Sequence, residues 1–369
     1  MKVTEVHVFQ HDLPVVDPPY TMATQSVYSL DTTIVMVVCD DGTVGYGETC
    51  PLGSTYQPQH ALGARAAITE VAPSLLGLDP TLHGQVNSAM DAALLGHGYA
   101  KAALDAACWD LAGKAHGVRV CDLLGGATRE RLPAYHVVGR VPADEAAETA
   151  ARLLSEGYTR LQVKVGGRTV EEDIAAIRAV DAVRPPGVRL VADANRGWQV
   201  PEAIQVSQAC RDVVLTIEQP CNSYAELRAL VGKLCHPMFV DESATDLQAV
   251  TAAIQDGVAD GFGLKVSRVG GLTAMRAIRD VCAAHRRPHT LEDTWGGDIV
   301  WATTVHMAAT VEPAQLDCTW LSQTYVDGFY DDREPVRISD GWIEVPSGPG
   351  LGVEPDASRW GDPVTSFTR

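Results

Sequence analysis

Basic side chains are scarce in this chain. Its 369 residues carry 29 Lys and Arg against 47 Asp and Glu, a formal charge of −18. Such a protein gains nothing from displacing counterions on a phosphate backbone, so nucleic acid is disfavoured as a partner. Long apolar runs are missing as well. No 18 uncharged apolar residues follow one another, which argues against a transmembrane helix, and no basic amphipathic stretch suggests a membrane anchor. The N-terminus, MKVTEVHVFQHDL, lacks both an apolar h-region and a cleavage pattern, so a cytoplasmic address is expected. The nine cysteines form no CxxC pair and match no zinc spacing. Lying mostly in apolar runs, they read as buried free thiols in a reducing compartment. With 46% hydrophobic residues, what remains is a soluble globular chain.

What the chain does have is a periodic middle. LQVKV (161–165), RLVADAN (189–195), VLTIEQP (214–220), MFVDES (238–243) and GFGLKVS (261–267) are short β-prone runs, each carrying a charge at its end. Helix-like segments separate them: VEEDIAAIRAVDAV (170–183), PEAIQVSQAC (201–210), SYAELRALVGKL (223–234) and DLQAVTAAIQDG (246–257). Strands alternating with helices indicate βα units and a parallel sheet. The end charges are Lys164, Asp193, Glu218, Asp241 and Lys265, spaced 29, 25, 23 and 24 residues apart, about one βα unit each. In a (β/α)8 barrel the carboxyl ends of the strands share one face, where active sites form. Three carboxylates from three neighbouring strands would then converge there, with a lysine on each flank. LPAYHVVG (132–139) is the expected first barrel strand, RPHTLED (287–293) the seventh and QLDCTW (315–320) the eighth.

Residues 1–128 follow a different pattern. KVTEVHVFQHDL alternates as a strand, and TTIVMVVCDDGTVGYGET reads as strand, Asp-Gly turn, strand. Helical patterns follow from residue 60 to 117, giving a separate α+β domain. Its loops at about 14–30 and 50–60 are candidates for closing over the barrel. The barrel is expected over 129–335. The tail, 336–369, shows a short hairpin pattern and is expected to pack back on the first domain.

Asp193, Glu218 and Asp241 come without accompanying Cys or His ligands, and all-oxygen coordination suits a hard cation, Mg2+ before Mn2+. A single strand-end carboxylate is more often a helix cap or a solvated residue. Five charges on five consecutive strands are harder to dismiss, although an ion-pair network without a metal would look similar. A lysine beside the metal becomes a base only if its pKa falls toward 7 or 8 from ~10.4. Lys164 and Lys265, on opposite strands, could address opposite faces of one carbon.

These motifs resemble the enolase superfamily, in particular its muconate-lactonising branch: QVK (162–164), ADANRGW (192–198), IEQP (217–220), VDES (240–243) and KVSRVGG (265–271). The resemblance implies an α/β fold, a modified (β/α)7β TIM barrel with an N-terminal α+β capping domain. It also implies Mg2+ on Asp193, Glu218 and Asp241, a small carboxylate substrate, and an enediolate formed by Lys164 or Lys265. Asn195 and Glu242 match positions near the ligands, and Arg268 supports the strand of Lys265. The branch often carries Lys-x-Lys on the second strand, and here Gln162 replaces the first lysine. The His–Asp dyad of mandelate racemases is absent, and His289 reads as a packed core histidine. Homo-oligomeric assembly is expected of such an enzyme, though no stretch specifies it.

Within the branch, HVFQHDLPVV, GETCPLGSTY, RLQVKVG, EQPCNS and GFGLKVSRVGGL are similar to hydroxyproline-betaine 2-epimerases. By that resemblance Tyr56 and Trp320 would hold a quaternary ammonium, and cation–π contact is worth about 2 kcal/mol or more when dry. Trp320 could equally plug the barrel mouth. Asp293 and Trp295 are candidates for the substrate's hydroxyl or amine, and Tyr20 for a lid residue. ETCPLG and EDTWGGD occur in similar form in cis-3-hydroxyproline dehydratases, which would use the same machinery for β-elimination. QVK and EQPCNS favour epimerisation of a proline-type betaine. An inactive metal-binding scaffold is the reading from another class.

Overall fold

The computed structural model describes residues 1–21 and 26–369. Residues 22–25, inside the first expected capping loop, lie outside the described residues. The first domain is an antiparallel sheet of Val3–Pro14, Ser29–Cys39 and Val44–Thr49, with Thr365–Thr368 added on the outer edge of Val3–Pro14. Alternate residues in part of its strands, among them Val6, Val8, Val35 and Val37, point at the helices Ala61–Val71, His83–Ala93 and Gly98–His116. This alternation buries one sheet face against the helical layer.

The barrel has eight parallel strands in chain order: His136–Val138, Arg160–Lys164, Arg189–Asp193, Thr216–Glu218, Met238–Val240, Gly261–Lys265, His289–Glu292 and Leu316–Trp320. The circle closes through a bridge between Ala134 and Thr319, where Tyr135 N donates to Thr319 O at 3.1 Å. The connections carry the helices Ala143–Ser155, Val170–Val183, Val200–Ala209, Tyr224–Leu230, Leu247–Gln255, Leu272–Ala284 and Asp298–Ala309. Local capping explains where several begin. Thr169 and Glu172, and Ser223 and Glu226, form reciprocal capping boxes, and Asp246 accepts from Ala249 N.

One expectation is corrected. The run 132–139 is not one strand. Arg131–Pro133 pairs antiparallel with Trp342–Glu344, and only His136–Val138 joins the barrel. The switch falls between Ala134, whose N–H goes to Gly341 O, and Tyr135, whose N–H goes to Thr319 O. The C-terminal hairpin, Ile338–Ser339 with Trp342–Glu344, therefore sits beside the chain's entry to the barrel. Beyond the hairpin the tail lies against the first domain: Gly350 bridges Arg119 and accepts from Val120 N, Trp360 packs on Phe9, and Thr365–Thr368 pairs with Val3–Pro14. The first capping loop also carries a small hairpin of its own, Tyr20–Thr21 with Ser26–Val27.

His289 is fully buried and bonds Arg287 O through Nδ1 at 3.0 Å. His306 is equally buried. Its Nε2 reaches Leu351 O at 3.0 Å and its Nδ1 accepts from Cys121 N at 3.4 Å, which only the neutral ring can do. Burial pushes the His306 pKa down to about 4. A base with a lowered folded-state pKa supplies stability above its unfolded value, near 6.5, that is lost as pH falls toward the folded value. His306→Gln, whose amide Nε2 can still donate to Leu351, should therefore be less acid-sensitive. Between pH 7 and pH 4 the wild type should lose about 3 kcal/mol more than the variant, as read by urea denaturation at each pH.

Candidate active site

The barrel register sets the site. Lys164 pairs across to Asp193, and Asp193 to Glu218, so these three residues lie in one row over strands two to four. A second row runs from Lys265 to Glu292 to Trp320 over strands six to eight. Asp241, one residue past strand five, lies between the rows. Gly263 makes room beneath it, because a Cβ there would stand 3.1 Å from both Glu218 Oε1 and Asp241 Cβ. One cavity of ≈ 30 Å³ is lined by both lysines, all three carboxylates, Gln162, Asn195, Tyr56, Trp295 and Trp320, together with Tyr20, Tyr135 and Glu292. That space suits a water or two. A substrate therefore requires the capping loops to lift.

The contacts are mostly charged. Lys164 Nζ donates to Asp193 Oδ2 at 2.5 Å. Lys265 Nζ donates to Asp241 at 2.8 and 2.9 Å and to Glu292 Oε2 at 2.7 Å. Arg268 holds the Asp241 backbone carbonyl and Oδ1 from behind. Gln162 Nε2 donates to Glu218 Oε2 at 2.9 Å, and Asn195 Nδ2 to Glu242 Oε1 at 3.1 Å. Tyr56 reaches in from the second capping loop and donates to Asp241 Oδ2 at 3.1 Å. Its carbonyl accepts from Arg196 Nη2 at 2.5 Å.

Burial lowers the pKa of Lys164, but the charge and hydrogen bond of Asp193, together with Tyr20 and Glu218, hold the lysine above its usual value. Lys265 is likewise lowered by burial and then raised further by Asp241 and Glu292. Both lysines are thus protonated here, the reverse of the fall expected for a base, because their partners are the expected metal ligands. Burial raises Asp241, but the charges of Arg268 and Lys265 hold it well below the usual carboxylate range. Glu218 is different. Burial, then the charges of Asp193 and Glu292, push it well above that range, and Arg160 only partly opposes them.

Among the described residues, no three His, Cys, Asp or Glu side chains form a ready cage for a metal ion. Each expected ligand is turned to a partner: Asp193 to Lys164, Glu218 to Gln162, Asp241 to Lys265 and Arg268. The donor set nevertheless fits a hard cation. It offers only oxygens, and Glu218 is a buried carboxylate short of a counter-charge.

One expectation changes. Asp293 does not line the cavity. It accepts from Trp295 N at 2.8 Å, Ser322 N at 2.7 Å and Ser322 Oγ at 2.9 Å, so it shapes the loops beneath the mouth. Its neighbour Glu292 is the carboxylate facing the site, and it accepts from Tyr135 OH at 2.7 Å. The two-residue alternation of strand seven, which puts Thr290 and Glu292 on one face, was the available signal. Tyr56 and Trp320 line the same cavity from different supports. Trp320 packs against Trp295 at 5.7 Å and Tyr325 at 5.9 Å, and Tyr20 caps Trp295 at 4.7 Å, while Tyr56 is tied to Asp241. Arg160, fully buried below the site, went unnoticed. It ion-pairs with Asp317 at 2.7 Å, lies 3.5 Å from Glu218 and stacks on Tyr135 with 3.7 Å to the ring centre.

Residues 145–359 match the enolase C-terminal domain-like family, and residues 3–125 match the mandelate racemase/muconate lactonizing enzyme N-terminal domain. The chain belongs to the enolase superfamily. Among related enzymes, it is 39% identical to a cis-3-hydroxy-L-proline dehydratase of Roseibium aggregatum over the whole of both chains. It is 31% identical to an N-succinylamino acid racemase of Amycolatopsis over 96% of this chain and 95% of that one. A mandelate racemase/muconate lactonizing enzyme structure from Silicibacter pomeroyi superposes with a TM-score of 0.95 at 38% identity, covering both chains in full. One from Roseovarius nubinhibens, complexed with magnesium, gives 0.94 at 33% identity, also over both full chains. The fold of this enolase-superfamily member is that of the mandelate racemase/muconate lactonizing enzyme group. Among its described residues no helix is long and apolar enough to cross a membrane.

Glu218 gives a direct test of the metal reading. Glu218→Gln removes a repelled buried charge, so the metal-free variant should melt above the metal-free wild type. Mg2+ should raise the wild-type melting temperature, with about 2.7 kcal/mol gained at a hundred times Kd. Glu218→Gln and Asp193→Asn should lose that increment in a Mg2+ titration followed by differential scanning calorimetry.

Proposed function

We propose that this enzyme removes the proton α to the carboxylate of a proline-type amino acid, with dehydration of cis-3-hydroxy-L-proline as the reaction. The observation that carries the proposal is the pair of lysines, Lys164 and Lys265, facing one cavity across three carboxylates, with tryptophans on the remaining wall. The full-length identity to a dehydratase supports this substrate and reverses the preference that QVK and EQPCNS suggested.

Asp193, Glu218 and Asp241 would hold the metal, Mg2+ or Mn2+, which when bound supplies Lewis-acid attraction for charge collecting on the substrate carboxylate. With Asp193 and Asp241 committed to the cation, Lys164 and Lys265 would lose the charges that hold them protonated. One lysine then takes the α-proton. The electron pair of that C–H bond becomes the Cα–Cβ double bond as the C3–O bond breaks, and the departing hydroxide takes a proton and leaves as water. The resulting enamine isomerises to the cyclic imine. Tyr135, Glu292 and Lys265 form a hydrogen-bonded chain at the cavity edge that can deliver the proton. Trp295 and Trp320 offer ring faces to the substrate's cationic nitrogen. Tyr20 and the second capping loop exclude water.

A second reading is 2-epimerisation of a proline-type betaine. The two lysines favour it, because one could take the α-proton and the other return it from the opposite face.

Proton NMR in D2O with Mg2+ separates these readings, with cis-3-hydroxy-L-proline, L-proline betaine and trans-4-hydroxyproline betaine in separate tubes. Conversion of cis-3-hydroxy-L-proline to the imine acid is the expected result, and Lys164→Ala and Lys265→Ala should each slow it by about 10²–10⁴-fold. Loss of the betaine α-proton with appearance of the epimer would establish the second reading instead. No solvent exchange in any tube would sink both substrate assignments.

A further inference from the structure

The tryptophan wall is held from outside the barrel. Trp295 has φ +93°, a region that a bulky side chain occupies only under constraint. Its N–H is tied to Asp293 Oδ1. Two residues on, Gly297 caps the wholly buried helix Asp298–Ala309 and has no side chain to satisfy the first N–H groups of that helix. Glu48, at the end of a first-domain strand, does so instead. Its Oε1 accepts from Gly297 N at 2.9 Å, and its Oε2 from Gly297 N at 3.0 Å and Val300 N at 3.2 Å. The hydroxyls of Thr32, at 2.8 Å, and Tyr330, at 3.0 Å, fix the same carboxylate. Gly296 leaves no slack between the two anchors. With φ +133°, a Cβ there would lie 2.5 Å from Val300 Cγ1 and 3.0 Å from Glu48 Oε1.

We propose that Glu48 is a positioning residue for Trp295: through Gly297 and the helix start it lets the capping domain set the ring that faces the substrate's nitrogen. This rests on the reading of the cavity as a site for a cationic, proline-type substrate. Residues 293–297 are pinned at both ends, by Asp293 and by Glu48, and the strained backbone of Trp295 lies between the pins. A cap borrowed from the other domain ties the aromatic wall to the domain that carries the closing loops. A local Ser or Asp cap would satisfy the helix without that link.

The test has one arm that needs no substrate. The edge-on pair Trp295–Trp320, 5.7 Å apart, should give a tryptophan exciton band in far-ultraviolet circular dichroism. Trp295→Phe defines its contribution. Glu48→Gln keeps the shape but replaces one acceptor oxygen with an NH2, and it should lose most of the same band while still melting cooperatively. In kinetics, Glu48→Gln should raise KM several-fold more than it lowers kcat, and should add little in the Trp295→Phe background. A folded Glu48→Gln with an unchanged band, or with KM effects that add in full, overturns the proposal. If Glu48→Gln does not fold, Tyr330→Phe, which removes one donor to the carboxylate, should show a weaker loss of the band, and an unchanged band there overturns it equally. Loss of the band without turnover of any proline-type substrate would leave the Glu48–Trp295 link standing and remove only the substrate reading.

Discussion

The site depends on the mutual repulsion of buried carboxylates. Asp193, Glu218 and Asp241 come from three adjacent strands and are taken out of water together, with Glu242 and Glu292 close by. Burying so many like charges is costly unless cations compensate them. The chain supplies Lys164, Lys265, Arg268 and, from below, Arg160. The compensation is uneven. Asp241 has two cations in direct contact, while Glu218 has an amide and an arginine at 3.5 Å. Under the proposed function the lysines that offset the repulsion would also be the bases, so one set of ion pairs would serve stability at rest and be given up for reaction.

The two domains divide the remaining work. The barrel fixes the charged groups by strand register, which is stiff because a one-residue slip would turn every inward side chain away. Apart from Trp320, at the end of strand eight, the aromatic wall comes from loops, and loops need anchoring. Asp293 and Glu48 provide it by accepting backbone N–H groups on either side of Trp295. Tyr56 and Arg196 join the second capping loop to the charged floor.

Period and strand-end chemistry made the barrel, the three carboxylates and the two lysines legible in the sequence. A βα unit repeats at a nearly constant spacing, and each repeat ends on a charge. What escaped notice did so for definable reasons. Glu292 and Asp293 are adjacent, and only the pleat of strand seven tells which of them faces inward. Arg160 sits two and four residues before Gln162 and Lys164 on the same inward face, yet an arginine at the start of a strand looks solvent-facing until the barrel is closed. Glu48 acts on Gly297 across 249 residues, a distance at which no local pattern could register. The extent of the first barrel strand was misjudged because LPAYHVVG is uniformly apolar, and its change of partner at Ala134 depends on where the C-terminal hairpin lands.

The choice between elimination and epimerisation does not reside in the strand ends. Both reactions begin with the same proton, taken by a lysine of the same pair, and they diverge only in whether a leaving group stands on the next carbon. Strand-end motifs therefore carry the family and the first step, while the loops that shape the cavity carry the substrate. In this chain those loops bring Tyr20, Tyr56 and Trp295 up to Trp320, at the end of strand eight, around one small space. A ring face attracts a secondary ammonium and a quaternary one alike, but their hydrogen-bonding needs differ. A secondary ammonium has N–H groups that lose their water partners on burial and need an acceptor. Glu292, on the same cavity wall and already bridging Tyr135 and Lys265, is a carboxylate that could take one. A betaine nitrogen has no hydrogen to give, and for it the same carboxylate would act only as a charge.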